Sequence, residues 1–471
     1  MISGDDRVIA ATGCIGRRAG QCPTCDRRMT PDQPRGSGER RDSDRGWCPV
    51  PRRSFLRGAL GGAAAAAAAN LVPAGVGHAQ GTGYQDAFNK LATEDGTHSI
   101  PFFGEHQAGI ATPPQAAAAF LSFDVTAGNR RELTDLFRTL TERAAFLTKG
   151  GAPPPPRPGE PPEHRHLLGA TVLPDDLTVT VALGASLFDG RYGLAPRKPA
   201  QLETMRAFAH DDLDPKITHG DLLVQLCANH RDTVGNALLD IVNQTRGGLR
   251  LRWRIDSFRF PPRPVGIPRD WMGFKDGIAN PNTSDASQLN QAVWVQPGRP
   301  EPAWTTGGTY QALRIIRMHL DKWDELPVEK QERIFGRRKI SGAPLYATDP
   351  NASDELDPIY TNDPQGRLTP LDCHIRLANP QTPQTAATST ILRRSFQYDQ
   401  SPDEGGNPNM GHTFCCFQQQ LNTYIAMQTR LENEMLVRYI TPIGGGYFFA
   451  VPGVRNAQDY YASGLLRGLP R

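Results

Sequence analysis

Residues 221–258, DLLVQLCANHRDTVGNALLDIVNQTRGGLRLRWRIDSF, decide how this chain folds. Asp221 to Ala228 reads as a strand, Arg231 to Thr245 as a helix, and Leu249 to Phe258 as a second strand. Upstream, Leu177 to Leu183 alternates like a strand and Ala116 to Thr126 ends as one. Between those two, Asn129 to Lys149 carries Leu133, Leu136, Phe137, Leu140 and Phe146 at helical spacing. Strand, helix, strand, strand, helix, strand is the order of a ferredoxin-like unit, an antiparallel sheet with helices on one face.

The plan recurs downstream. Thr309 to Leu320 reads as a long strand and Asp321 to Arg337 as a polar helix. Thr390 to Tyr398 and His412 to Gln418 follow as strands, then a helix over Leu421 to Val437 and a last strand over Gly446 to Val451. The expected fold is therefore α+β, with two ferredoxin-like domains at 81–272 and 273–471. Residues 150–159 form a Pro/Gly loop. Residues 338–389 are irregular and rich in Pro, Asn and Asp, and so long a loop in a compact domain is usually functional.

The 471 residues are 38% hydrophobic and 21% charged, the balance of a soluble globular protein with room for two or three cores. The formal net charge of +3 is misleading, because residues 1–80 hold 12 Lys/Arg against 7 Asp/Glu. Beyond residue 80 the balance is 40 against 42, so no phosphate-tracking surface is expected and nucleic acid is excluded as a partner.

The first eighty residues read as an address. Residues 1–50 are polar and Arg/Pro-rich, a disordered or mis-assigned extension, with Met29 as an alternative start. Cys22 and Cys25 have metal-ligand spacing, but no second pair follows at zinc-site distance. In 51–80, Arg52-Arg53-Ser54-Phe55-Leu56-Arg57 precedes a weakly apolar alanine run to Ala69 and the small-residue stretch Gly77-His78-Ala79-Gln80. This resembles a twin-arginine export signal and is too weak to span a bilayer stably. That route carries folded proteins, often with a cofactor in place, to a periplasmic or extracellular destination. Beyond it stand only Cys227, Cys373, Cys415 and Cys416, which is no disulfide framework.

Chemistry gathers at three places. Gly273-Phe274-Lys275-Asp276-Gly277-Ile278-Ala279-Asn280-Pro281 sets one carboxylate near two glycines in a turn. Asp372-Cys373-His374-Ile375-Arg376 lies in the long loop, and Ile391-Leu392-Arg393-Arg394-Ser395-Phe396 opens a strand. A turn, a satisfied histidine and a solvated arginine would each account for one of them alone. Together, Gly273-x-x-Asp276-Gly277, a His about a hundred residues on and an Arg about twenty residues after it resemble the dye-decolourising (DyP-type) haem peroxidases. The nearest branch is the twin-arginine-exported one that includes the deferrochelatase/peroxidases of iron uptake. Phe102-Phe103-Gly104-Glu105-His106-Gln107, Gly336-Arg337-Arg338-Lys339 with Gly342-Ala343-Pro344-Leu345, and Gly444-Gly445-Gly446-Tyr447-Phe448-Phe449 match as well, so the resemblance covers about residues 98–468.

The resemblance implies two antiparallel sheets of the dimeric α+β barrel type and one haem b per chain, held between sheet and helices of the C-terminal domain. His374 becomes the proximal iron ligand, with Glu434 the candidate acceptor for its other ring N–H. Asp276 and Arg393 become the distal acid-base and charge stabiliser, and an aspartate in that role implies an acidic optimum. Gly277 lets the backbone approach the macrocycle. Arg337 or Arg338 holds a propionate or serves the surface. Ser395 stands where some relatives carry an Asn. Trp253, Trp271, Trp304, Tyr398 and Tyr447 are either radical relays or core.

The implied activity is reduction of hydrogen peroxide with oxidation of a bulky aromatic or dye-like donor. The alternatives are a deferrochelatase that releases iron from haem, and a non-catalytic exported haem carrier, which would need His374 but neither Asp276 nor Arg393. The partners expected are peroxide, an aromatic reductant or haem, and the export machinery, with a homo-oligomer left open.

Overall fold

A computed structural model describes residues 96–468 apart from 156–157, 159–163, 264, 387 and 404. The extension and the twin-arginine signal lie outside the described residues. The described residues belong to one compact unit.

The first half runs β1 (Ala117–Val125), α1 (Arg130–Lys149), β2 (Thr178–Gly184), β3 (Leu222–Ala228), α2 (Arg231–Gln244) and β4 (Leu249–Phe258). Asn129 caps α1, its side chain accepting from the Glu132 amide, so the helix starts where the first orphan donors are met. The strands lie in the order β2-β3-β1-β4, all antiparallel. The second half repeats this with β5 (Thr309–Met318), β6 (Leu392–Arg393), β7 (Phe396–Gln400), β8 (Asn409–Gln418), the helix α3 (Leu421–Leu431) and β9 (Ile440–Ala450), in the order β9-β5-β8-β7. Pairing of β2 with β9 and of β4 with β7 closes the two sheets into one ring.

A ring has two faces. Phe120, Leu223, Trp253, Leu313, Cys415 and Phe448 pack together on the inner one. The outer face carries the helices, with Leu133, Phe137, Val234 and Tyr424 in its core. Cys415 and Cys416 fall on opposite faces, as strand alternation requires.

Three elements differ from expectation. The helix expected over 321–337 is two short ones, Leu320–Asp324 and Val328–Phe335, because Pro327 between them has no N–H to continue the first. The helix after β8 stops at Leu431, and Met435–Arg438 is a separate 3-10 turn. The last strand begins six residues early, at Ile440. Its three glycines are a close backbone approach inside the strand, and a Cβ on Gly445 would meet Leu313 O at 2.0 Å. The irregular loop 338–389 also contains one helical turn, His374–Ala378.

Candidate functional site

Asp276 ends a tight reversal of the chain. Asp270 N donates to Phe274 O (2.8 Å), Gly273 N to Asp270 O (3.1 Å) and Asp276 N to Pro268 O (3.0 Å). Gly273 (φ 84°) and Gly277 (φ 114°) take backbone conformations that other residues rarely adopt. A Cβ on Gly277 would meet nothing closer than 3.8 Å, so that glycine answers to conformation and not to crowding. It does not line the cavity described next.

The turn opens on a cavity of about 450 Å³. Asp276, His374, Arg393, Arg337 and Arg338 all line it, and so do His412 and Asp270. Met272, Ile316, Met318, Phe335 and Leu436 supply apolar wall. Residues separated by up to 170 positions, Asp270 and Ile440, thus meet at one concave surface on the helix-bearing side of the second sheet. Trp253, Trp271, Trp304, Tyr398 and Tyr447 do not line it. Trp253 and Trp304 spend their indole N–H on backbone carbonyls, and Tyr398 and Tyr447 are core.

His374 opens its helical turn, with Nδ1 at 2.6 Å from Glu434 Oε2. Glu434 is 5% exposed. Burial disfavours the imidazolium, but the carboxylate beside it prevails and holds the His374 pKa above its ordinary value. With Nδ1 engaged, Nε2 is the ring nitrogen that remains for a metal.

Arg393 is tied to the Asp276 turn through Asn280. The Asn280 amide donates to Arg393 O (2.8 Å) and accepts from Arg393 N (3.0 Å). Burial would raise the Asp276 pKa, but His412, Arg393 and Arg259 outweigh it and leave the carboxyl below the usual aspartate value. Asp270 goes the other way, pushed up to about 7 by burial with Asp276 adding to the rise.

Arg337 is buried, and its guanidinium donates to Gly342 O (2.8 Å) and Asp354 O (3.1 Å). Arg338 pairs with Glu332 at 3.0 Å. Lys275 pairs with Asp354 at 2.6 Å, joining the turn to the long loop.

Residues 107–259 match the family described as Dyp-type peroxidase, N-terminal, and residues 267–455 match Dyp-type peroxidase, C-terminal. The chain belongs to the DyP-type peroxidase family. It is 46% identical over 399 residues to a deferrochelatase of Escherichia coli K12, covering 83% of this chain and 92% of that one. A DyP-type peroxidase from Cellulomonas bogoriensis superposes with a TM-score of 0.70 at 33% identity, over 80% of this chain and 100% of the other. Ferric DtpA from Streptomyces lividans gives 0.71 at 31% identity, over 79% and 98%. This DyP-type peroxidase is an oxidoreductase, and its cofactor is haem. The cavity suits that group, with a long apolar wall, flanking arginines and one imidazole already braced through its other nitrogen.

Two members of the site escape sequence reasoning. His412 sits in HTFCCFQ, where alternation puts it on the face of Phe414 and Cys416, and a lone imidazole on an apolar face was the only signal. Asp270 precedes the glycine motif and is drawn in only by the reversal of the turn.

Proposed function

We propose that peroxide reduction in this DyP-type peroxidase is carried by Asp276 and Arg393, with His374 as the residue that would hold the haem iron. The single observation behind this is that His374, braced by Glu434, shares one cavity with Asp276 and Arg393. When bound, haem supplies the iron and the redox equivalents exchanged with peroxide and donor. Asp276, ionised because positive groups surround it, accepts the proton from one oxygen of hydrogen peroxide and returns it to the departing oxygen. Arg393 holds a fixed positive charge where negative charge develops, a role worth ~3 kcal/mol by comparison with single oxyanion donors. Arg337 and Arg338 give the cavity the charge that a propionate needs.

Export fits the same reading. The twin-arginine pattern at Arg52 and Arg53 supports a periplasmic or extracellular protein that folds, and takes up haem, before crossing the membrane. No helix among the described residues is long and apolar enough to cross one. The donor is a bulky aromatic reductant that approaches the haem edge.

The test is peroxide-dependent oxidation of an anthraquinone dye by the haem-loaded protein. Asp276→Asn should keep haem and lose most turnover, and His374→Ala should lose haem; full haem occupancy in the latter overturns the ligand assignment. A second reading, release of iron from haem, is favoured by the 46% identity to a deferrochelatase. It predicts iron-free porphyrin among the products when haem is supplied as substrate.

A further inference from the structure

Asp276 has two sides. One faces the haem cavity, and the other lines a separate cleft with Arg259, Pro268, Ser395 and Gln397. That cleft has about 10 Å³ of room, enough for about one water molecule. Ser395 and Gln397 are 3% and 4% exposed, yet Ser395 Oγ and Gln397 Oε1 have no hydrogen-bond partner among the described residues. Buried polar atoms are nearly always satisfied, so two orphans at one water-sized space point to a water between them.

His412 stands at the same place. Gln397 Nε2 donates to His412 Nδ1 at 3.0 Å, which leaves the proton of a neutral imidazole on Nε2. Nε2 is 3.7 Å from Asp276 Oδ2, one small adjustment or one bridging water away from a hydrogen bond. The charged and titratable groups bearing on His412 are Asp276, Arg393, Arg259 and His374. Burial and the last three lower its pKa, and Asp276 alone favours its protonation.

Reducing hydrogen peroxide to two waters takes two electrons from the donor and two protons from solvent. Asp276 moves a proton between the oxygens but is not a net source, so protons must reach it from outside. We propose that Asp276 is served from behind: His412 acts as a positioning residue that turns and holds its carboxylate, and water in the Ser395–Gln397 cleft carries protons to it. This rests on Asp276 being the distal acid-base.

Cyanide tests it without turnover. Hydrogen cyanide must give up its proton to a distal base as it binds ferric haem, so the rate of binding, followed by absorbance against pH, reads the ionisation of Asp276. His412→Leu should move the acid limb upwards by about one pH unit, the order of shift a lost neighbouring charge or donor produces. His412→Gln, which keeps an N–H donor, should restore it. An unmoved limb in a haem-loaded His412→Leu protein overturns the role of His412. Asp276→Asn should abolish the limb; if it persists there, the reading of Asp276 itself has failed. A crystal structure of the haem-loaded protein should place a water within hydrogen-bond reach of Ser395 Oγ and Gln397 Oε1, and a dry cleft overturns the proton path.

Discussion

Glu434 Oε2 lies 2.6 Å from His374 Nδ1, a carboxylate–imidazole pair built from residues sixty positions apart. The carboxylate is buried, so its charge acts on the ring with little screening. Glu434→Gln keeps an acceptor but removes that charge. Haem should remain, with affinity or turnover lowered about 10- to 100-fold, as for other lost partners of metal-bound histidines. The midpoint potential should rise, because a less basic ligand stabilises ferric iron less. Spectroelectrochemistry on the two proteins checks the sign.

Turnover should survive to unusually low pH. Asp276 has a folded pKa below its ordinary value, so its working ionised form is present above that pKa and is lost as pH falls through it. The acid limb of the rate profile therefore belongs below about pH 4. Asp276→Asn should remove this limb and lower turnover by about 10²- to 10⁴-fold at unchanged haem content. An activity that peaks above pH 7 in the unsubstituted protein contradicts the assignment.

Much of this was legible in the chain. Strand and helix periods gave both ferredoxin-like halves, because each half buries an alternating face against an amphipathic helix. Asp276, His374 and Arg393 were visible as a set of motifs, and Glu434 as a carboxylate on the right segment. The barrel came only from the family resemblance, since the β2–β9 and β4–β7 pairings that close it are long-range and leave no local pattern. His412 was hidden for the same reason. A histidine in a strand comes to face Asp276 only when the chain 136 residues upstream folds over it.

Gly277→Ala separates conformation from space. The site has room for a methyl group, but φ is 114°, where an L residue is strained. The expected cost is about 1–2 kcal/mol, seen as a lower melting temperature. Because Asp276 is the preceding residue, turnover should fall further than stability does. Equal losses in both would mean that the turn only holds the fold together.

Asp270 makes stability depend on pH in the opposite sense to a salt-bridged carboxylate. Its folded pKa is raised to about 7 from 3.8, so the folded state binds its proton more tightly than the unfolded chain. Stability from this group is complete below about pH 4, declines as pH rises to 7 and is flat above. Asp270→Asn removes the penalty. It should match the parent near pH 4 and exceed it at pH 8 by ~2 kcal/mol, an amount reduced for partial solvent access. Calorimetry at the two pH values checks this, and a destabilised variant at pH 8 contradicts it.

Asn280 joins Arg393 to the Asp276 turn, and its loss should uncouple them. Its side chain satisfies both the N–H and the C=O of Arg393, fixing the end of β6 against the turn that carries Asp276. Asn280→Ala leaves a half-buried donor and acceptor unpaired, at a cost of about 1–3 kcal/mol. Asn280→Asp keeps only the acceptor and adds a negative charge near Asp276, which should raise its pKa and move the acid limb upwards. Haem content should be unchanged in both variants, because the His374–Glu434 pair makes no use of Asn280. A variant that loses haem instead would show that Asn280 supports the cavity as a whole.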